Sequence, residues 1–548
     1  MTDVPHNLPP AVSVSSDAAD TAELDFTPAG DSGRSTLLRD TSRIRAVHPA
    51  STIAGSAIRI DLDQVRIDAA LALRVPPGLA IRRQVLPLCR IGERVHVACA
   101  NPSDTTALSA VERHMNSPVV PVPAHPDSLR RAFIRVFGSS PRDGEPAPAR
   151  PTQPDDAPLD ATSASDELLI AAVLRGASDL HLDPDRESLV ARLRVDGVLE
   201  HYRRLPIALH PEVVSRFKVQ AGMDIAERRA PQDGRFTWQP AHGPAAGQRV
   251  DVRVASMPTV HGERLTLRLL ALQGDALTLE RLGMRAEHLD LFSRCLRLPW
   301  GLALITGPTG SGKTTTLYAG LRQLIGERHL NVITVEDPIE SDVPGIAQVE
   351  VDSADKVSFG KALRSVLRHD PDVVMVGEVR DRETADIVIK SALTGHLVLS
   401  TLHTNSATGA VTRLVDMGVE PYLVAATLRL AVAQRLARKL CSRCASARPL
   451  TLEEATGLGS PPHAGASAHD AHGCVYCAGR GYIGRVGLFE MLPVTADWSR
   501  EIAEGASEGA IREQAMARGM SVLADDAIRK VCDGTISPRD ALAAVAGW

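Results

Sequence analysis

The chain has 548 residues, more than one hydrophobic core accommodates, so two to four domains are expected. Its 44% apolar content is that of a globular protein, while a net charge of -5 and 3% aromatic residues argue against a broad basic field or base-stacking platforms for nucleic acid. No run of about 18 apolar residues is present to span a bilayer, and the start, with Asp3 and Asp17 and no apolar segment, does not read as a signal peptide, so a cytoplasmic protein is expected.

Residues 1–55, rich in Ser, Asp, Ala and Pro without apolar periodicity, read as a disordered segment. From 56 to 138, short apolar runs (Val85–Leu88, Val95–Ala100) accompany helical stretches near Thr106–Met115 and Ser128–Val136, the pattern of a small α/β module. Residues 139–165 carry Pro141, Pro146, Pro148, Pro151, Pro154 and Pro158 and read as a stiff linker. A second α/β module occupies 166–275. It has a helix over Glu167–Leu174, a strand over Leu189–Val195 and an Asp196-Gly197 turn. Two further strands, Gln248–Ser256 and Glu263–Leu270, carry Arg249, Arg253, Arg264 and Arg268.

The region 276–548 begins the chemistry. Gly301–Thr306 is a short apolar strand, and Gly307, Pro308, Thr309, Gly310, Ser311, Gly312, Lys313 and Thr314 follow it as a complete Walker A loop, before a helical stretch Thr315–Ile325. Backbone N–H groups of such a turn point at phosphates with the helix dipole behind them. Lys313 would reach the β- and γ-phosphates of ATP, and the Thr314 hydroxyl would hold Mg2+. Next, Ile333–Glu340 is an apolar strand ending in Glu336, Asp337 and Glu340 around Pro338. Val373–Val376 then leads through Gly377 to Glu378, a carboxylate at a strand's C-terminal end, placed for the magnesium shell or the attacking water. A surface acid after a core strand is the plain alternative. Leu397–Leu402 is a strand flanked by His396 and His403; each is a candidate γ-phosphate sensor or a hydrogen-bonded structural histidine.

Of eight cysteines, Cys89, Cys99, Cys295 and Cys532 are scattered and read as reduced core residues. The other four are ordered: Cys441-x-x-Cys444 and Cys474-x-x-Cys477, with 29 residues (445–473) between the pairs. Two such knuckles present four thiolates to a structural Zn2+ with no open position, and the long spacer implies an inserted loop. A redox Cys-x-x-Cys is the competing reading, but it needs no second pair.

The order of Walker A loop, acidic segment, Glu378 strand and two-histidine segment resembles the secretion ATPase superfamily, the motors of type II secretion and type IV pilus assembly. There the acidic and two-histidine segments are called the Asp box and His box. Ala177–Leu182, Pro231–Arg235 and Pro258–Glu263 look like signatures of the family's domain upstream of the motor. The four-cysteine region 436–495, with Gly479–Arg485, is similar to the metal-binding insertion of assembly-type members, which makes a retraction motor the less expected member.

The resemblance implies an α/β protein: a RecA-like P-loop motor over 276–548 with helical tail, preceded by a docking domain (56–138) and an upstream domain (166–275). It implies a homohexamer with ATP between the upstream and motor domains, completed by Arg235 and Arg253. Lys313, Glu378, Glu336, His396 and His403 complete the catalytic set, with the choice of Glu378 or Glu336 as base left open. The implied partners are an inner-membrane platform protein and its docking subunit, with the chain cytoplasmic and peripheral to that membrane. The implied function is ATP hydrolysis powering assembly of a secretion pseudopilus or a pilus, with no stable nucleic-acid partner. A nucleic-acid translocase and a nucleotide-gated scaffold are the alternatives. Two departures stand out. Ser406 follows Asn405 where some members have aspartate, and residues 66–75 do not reproduce the Arg-Leu-Gly segment of a nucleotide second-messenger site, so no such ligand is expected.

Overall fold

The structure, a computed structural model, describes residues 59–137, 160–240, 248–271, 278–351 and 359–546. The expected disordered segment 1–55 and most of the proline-rich linker lie outside the described residues. In the first module, Val85–Ile91 (β1) pairs antiparallel with Arg94–Cys99 (β2), and Val119–Pro123 (β3) joins β2 in parallel. Helices Thr105–Met115 and Pro126–Phe137 bury Val111, Met115, Leu129 and Phe133 in one core with Leu86, Leu88, Val95 and Val97. Cys89, Cys99 and Cys295 are buried and Cys532 is partly buried. Burial pushes the Cys89 and Cys295 thiols up to about 12, so these are apolar core groups and not reactive thiolates.

The second module starts earlier than its sequence suggests. Asp160 accepts a hydrogen bond from the Ser163 amide and caps a helix over Ala161–Leu174. The end of the expected linker, from Ala161 on, is therefore helical, because Ala161, Ala164 and Leu168 are needed in the core. A six-stranded antiparallel sheet follows, built from β4 (Ala177–Pro184), β5 (Ser188–Val195), β6 (Val198–Pro206), β7 (Gln232–Trp238), β8 (Val250–Thr259) and β9 (Gly262–Ala271). Its strand order is β6-β5-β4-β9-β8-β7. Asp196 and Gly197 both have left-handed backbones (φ 51° and 87°), as a two-residue hairpin turn between β5 and β6 requires. Alternate residues Leu180, Leu193, Val252, Val254, Leu265 and Leu267 face the helix-covered core. The residues between them, many of them arginine, lie on the other face.

The motor sheet contains β10 (Gly301–Thr306), β11 (Val332–Glu336), β12 (Ala347–Glu350), β13 (Val373–Val376), β14 (Leu397–Leu402) and β15 (Leu428–Leu440). Two short strands, β16 (Ser446–Pro449) and β17 (Ser467–Asp470), pair with each other, and β18 (Tyr482–Pro493) returns to the sheet. The order is β12-β11-β13-β14-β10-β15-β18, parallel except for β18, which runs antiparallel to β15. Every residue of β10, β11, β13 and β14 is buried, which is why these strands read as unbroken apolar runs. The four-cysteine region is the excursion between β15 and β18. The loop expected between its knuckles is a hairpin, β16 to β17, with a short helix Leu452–Gly457 capped by Thr451 and Glu454. Helices Ala496–Ala503, Glu508–Ala517, Leu523–Cys532 and Pro538–Val545 form the tail. Among the described residues no helix is long and apolar enough to cross a membrane.

Candidate nucleotide site and four-cysteine centre

Thr306, the last residue of β10, lies beside Leu402, the last of β14, and Val376 at the end of β13 lies beside Ser400. Gly307, Glu378 and His403 therefore leave the sheet at the same carboxyl end, the edge at which open parallel sheets bind ligands. The Thr306 hydroxyl accepts the Thr404 amide at 2.7 Å and ties the two exits together.

The loop is shaped by the strand beside it. A Cβ on Gly307 would lie 2.4 Å from the Gln434 carbonyl oxygen, and one on Gly312 would lie 2.9 Å from Gln434 Nε2. Gly307, Gly310 and Gly312 all have positive φ, so glycine is required on both counts at the first and last of these. The Gln434 amide, buried in β15, donates to the Ser311 carbonyl at 2.9 Å and accepts the Thr316 hydroxyl at 2.8 Å, holding both ends of the turn. Lys313 Nζ folds back onto the carbonyls of Gly307 (2.7 Å) and Pro308 (3.2 Å). Burial first, and then Arg435, lower the Lys313 pKa to about 8. The Ser311 hydroxyl is buried without a hydrogen-bond partner. A buried cation without enough negative charge and an unmet hydroxyl mark a cradle that fits a polyphosphate. Thr314 stands in the first turn of the helix Lys313–Glu327.

The three carboxylates differ sharply. Glu336 is 2% exposed and fully engaged: it accepts the Tyr318 hydroxyl, the Thr334 hydroxyl at 2.6 Å and Gln348 Nε2 at 3.0 Å. Glu378 is 18% exposed, with one oxygen in contact with Arg380 and the other 3.1 Å from His403 Nε2. Burial, with Lys313 and Arg380, lowers the His403 pKa and so favours the neutral imidazole. Facing a carboxylate oxygen at 3.1 Å, Nε2 is the nitrogen that carries a proton and donates it to Glu378. Glu340 is the third. Burial, then Glu336, raises its pKa, while Arg253, Arg268 and Lys313 act in the opposite sense.

His396 is not brought to this crevice. Its carbonyl receives the Gly301 amide, and its Nδ1 is 3.0 Å from the Ser391 carbonyl, at the amino end of β14. At about 3.3 Å per residue the strand separates it from His403 by roughly 20 Å. The hydrogen bonds of His396 hold it at that end of the strand, away from the phosphate loop.

Arg235 and Arg253 sit opposite one another on β7 and β8, and Arg253 is opposite Arg268 on β9. This row faces the acidic segment of the motor: Arg235 pairs with Glu350 at 3.1 Å, and Arg253 donates to the Ile339 carbonyl at 3.0 Å. Arg235 is 77% exposed, whereas burial lowers the Arg253 pKa. Sequence reading names Glu340 among the strand-end acids and Arg268 among the strand arginines but misses Gln434. The place of Arg268 beside Arg253 follows only from strand register, and Gln434 shows in the sequence only as a lone amide in an apolar strand.

Cys441, Cys444, Cys474 and Cys477 converge, their sulfurs all within 4.8 Å of one another. The 441–474, 444–477 and 474–477 separations are each 3.9 Å. A disulfide needs about 2.05 Å. A tetrahedron with metal–sulfur bonds of about 2.3 Å has edges of about 3.8 Å, so the four sulfurs fit a tetrathiolate ion. The Cys441 and Cys474 sulfurs first, and then the Cys474 and Gly481 amides, hold the Cys477 thiol well below its ordinary range. Those amides donate to it at 3.2 and 3.1 Å.

Comparison with known proteins agrees with this geometry. The family described as Type II/IV secretion system protein matches residues 152–543, and the MshEN domain matches 55–143. The chain is 40% identical over 501 residues to type II secretion system protein E of Pseudomonas aeruginosa, covering 88% of this chain and 98% of that protein. It is 38% identical over 494 residues to the type IV pilus assembly ATPase PilB of Myxococcus xanthus, covering 87% and 86%. In fold it is similar to the ATPase DotB of Legionella pneumophila, with a TM-score of 0.54 at 22% identity over 73% of this chain and 98% of that one. The chain belongs to the type II/IV secretion system protein family and is an ATPase of that family.

Proposed function

We propose that this chain hydrolyses ATP to drive assembly of a type II secretion pseudopilus or a type IV pilus, acting as a homohexamer at an inner-membrane platform protein and its docking subunit, on the cytoplasmic side. The observation that carries the motor reading is the meeting of two domains at one crevice: a charge-deficient phosphate loop on the motor faces the arginine row of the upstream domain. Gly307–Thr314 would cradle the phosphates, with Lys313 leaving its carbonyl partners for phosphate oxygens. Mg2+ against the Thr314 hydroxyl would neutralise charge building on those oxygens. Glu378, oriented by the His403 N–H, would take the proton of the attacking water as the terminal P–O bond breaks to give ADP and phosphate. Arg253 bridges the domains, so hydrolysis would loosen their contact and move one against the other. Zn2+ on the four cysteines would be structural.

Steady-state ATPase assays with and without DNA, beside Lys313→Ala and Glu378→Gln, test this. Turnover lost in both variants and indifferent to DNA is expected. A many-fold rise with DNA would transfer the chain to the nucleic-acid translocases. No turnover in the native chain, even with the platform's cytoplasmic domain added, would leave a nucleotide-gated scaffold.

A further inference from the structure

The Cys474–Cys477 knuckle does more than close a thiolate cluster. Its Val475, Tyr476 and Ala478 pack against the hydrophobic core of the N-terminal module, in a cluster with Leu86 and Leu88 of β1. The Arg66 amide donates to the Tyr476 carbonyl at 3.0 Å. Gly479 has φ +79°, and a Cβ there would lie 2.9 Å from the Arg90 carbonyl oxygen and 3.3 Å from Ile91 Cγ1, so the two backbones meet where only glycine fits. Arg443, between the two cysteines of the first pair, lies over the Tyr476 ring and donates to Gln64 at 2.9 Å. Around it the contacts are polar and run to the upstream domain: Arg66–Asp196 and Arg175–Asp68 tie the N-terminal module to that domain, Arg480–Glu200 ties the cysteine region to it, and the Arg66 guanidinium also donates to the Arg175 carbonyl. A polar cavity of about 170 Å³ stays open among them. One small apolar plug inside a polar rim is the make-up of a contact that comes apart, unlike that of a shared core.

The plug has little of its own to hold its shape. Val475–Cys477 is a single three-residue turn, fixed by the sulfurs and by amides that point at Cys477. We propose that the four-cysteine centre is a latch: with metal bound, the knuckle presents Tyr476 and Gly479 as the docking surface for the N-terminal module, and loss of the metal frees that module from the motor. The inference rests on the zinc reading above, and metal binding of this kind is coupled to local folding.

Hydrogen exchange on the full-length chain reads the latch directly, because the Arg66 amide is protected by the knuckle carbonyl itself. Zinc content is measured on the same samples. The native chain is expected to carry about one zinc, as four protein ligands dictate, with slow exchange at Arg66. Cys444→Ser should lose the zinc and speed Arg66 exchange by about tenfold or more, while Val97 and Ala98 in β2 stay protected because the module remains folded. Tyr476→Ala should keep the zinc and still speed Arg66. Zinc lost with Arg66 exchange unchanged overturns the latch and leaves the metal site standing. A native chain without zinc overturns the metal reading, and the latch with it.

Discussion

The Tyr318 hydroxyl donates to Glu336, and this contact separates the two carboxylates that the sequence offers as base. Glu336 also takes Thr334 and Gln348, so three donors converge on a side chain that is 2% exposed. Glu378 has one oxygen on the His403 imidazole and the other on Arg380, an arginine 60% exposed that also reaches Asp337 at 3.5 Å, so its partners are fewer and more open to solvent. Glu378→Gln should therefore lower kcat by about 10²–10⁴ with nucleotide affinity kept. Glu336→Gln should instead turn an amide N–H toward donors and lower stability by about 1–3 kcal/mol, with the smaller loss in kcat. Turnover and thermal melts of both variants decide. A reversed ranking would make Glu336 the base.

The arginine row is graded by burial. Arg253 is partly desolvated and bonded to the Ile339 carbonyl, whereas Arg235 is 77% exposed and meets Glu350 where water screens the pair. An interaction kept out of water is the stronger one as charge builds on a phosphate. Arg253→Ala is expected to lower kcat by about 10²-fold and Arg235→Ala by roughly tenfold or less. Equal losses in the two variants, measured at saturating ATP, would show that the exposed arginine closes onto the site during turnover.

Gln434 supports the phosphate loop from β15 by two hydrogen bonds, at 2.9 Å to Ser311 and 2.8 Å to Thr316. Gln434→Ala leaves both partners buried without it, a loss of about 1–3 kcal/mol. Because the bonds shape the loop and not the reacting atoms, the expected signature is weaker nucleotide binding with kcat changed far less. A fluorescent-nucleotide titration beside turnover separates the two. A selective fall in kcat would place Gln434 closer to the chemistry.

The phosphate loop, the Glu378 strand and the four cysteines were legible because each is a local pattern whose spacing states its chemistry. The choices within them were not. His396 and His403 look equivalent in sequence, and only the direction of β14 sends one to the crevice and the other to the far end. Glu336 looks like a free acid at a strand end until Tyr318, 18 residues before it, is folded against it. Arg268 and Gln434 depend on which strands are neighbours, a property of the whole sheet. The linker boundary slipped for the opposite reason: the Asp160 cap is local, but proline content nearby masks it.

Lys313 offers a test of the phosphate loop's charge that needs no mutation. Its pKa in the folded chain is about 8, against an ordinary 10.5, with burial the first cause and Arg435 the second. Between those values the folded chain has released a proton that the unfolded chain keeps. This group alone therefore makes the nucleotide-free protein more stable as pH rises from about 8 toward 10.5, and it adds nothing further above that. Phosphates in the loop reverse the balance, because negative charge beside the ammonium raises its pKa again. Nucleotide binding at pH 8.5 should then take up on the order of half a proton or more, and affinity should fall as pH climbs past 8. Calorimetric titrations in two buffers of different ionisation enthalpy measure that uptake as a difference in observed heat. Identical heats would mean that Lys313 is already fully charged before the phosphates arrive, and that the cradle finds its counter-charge within the protein.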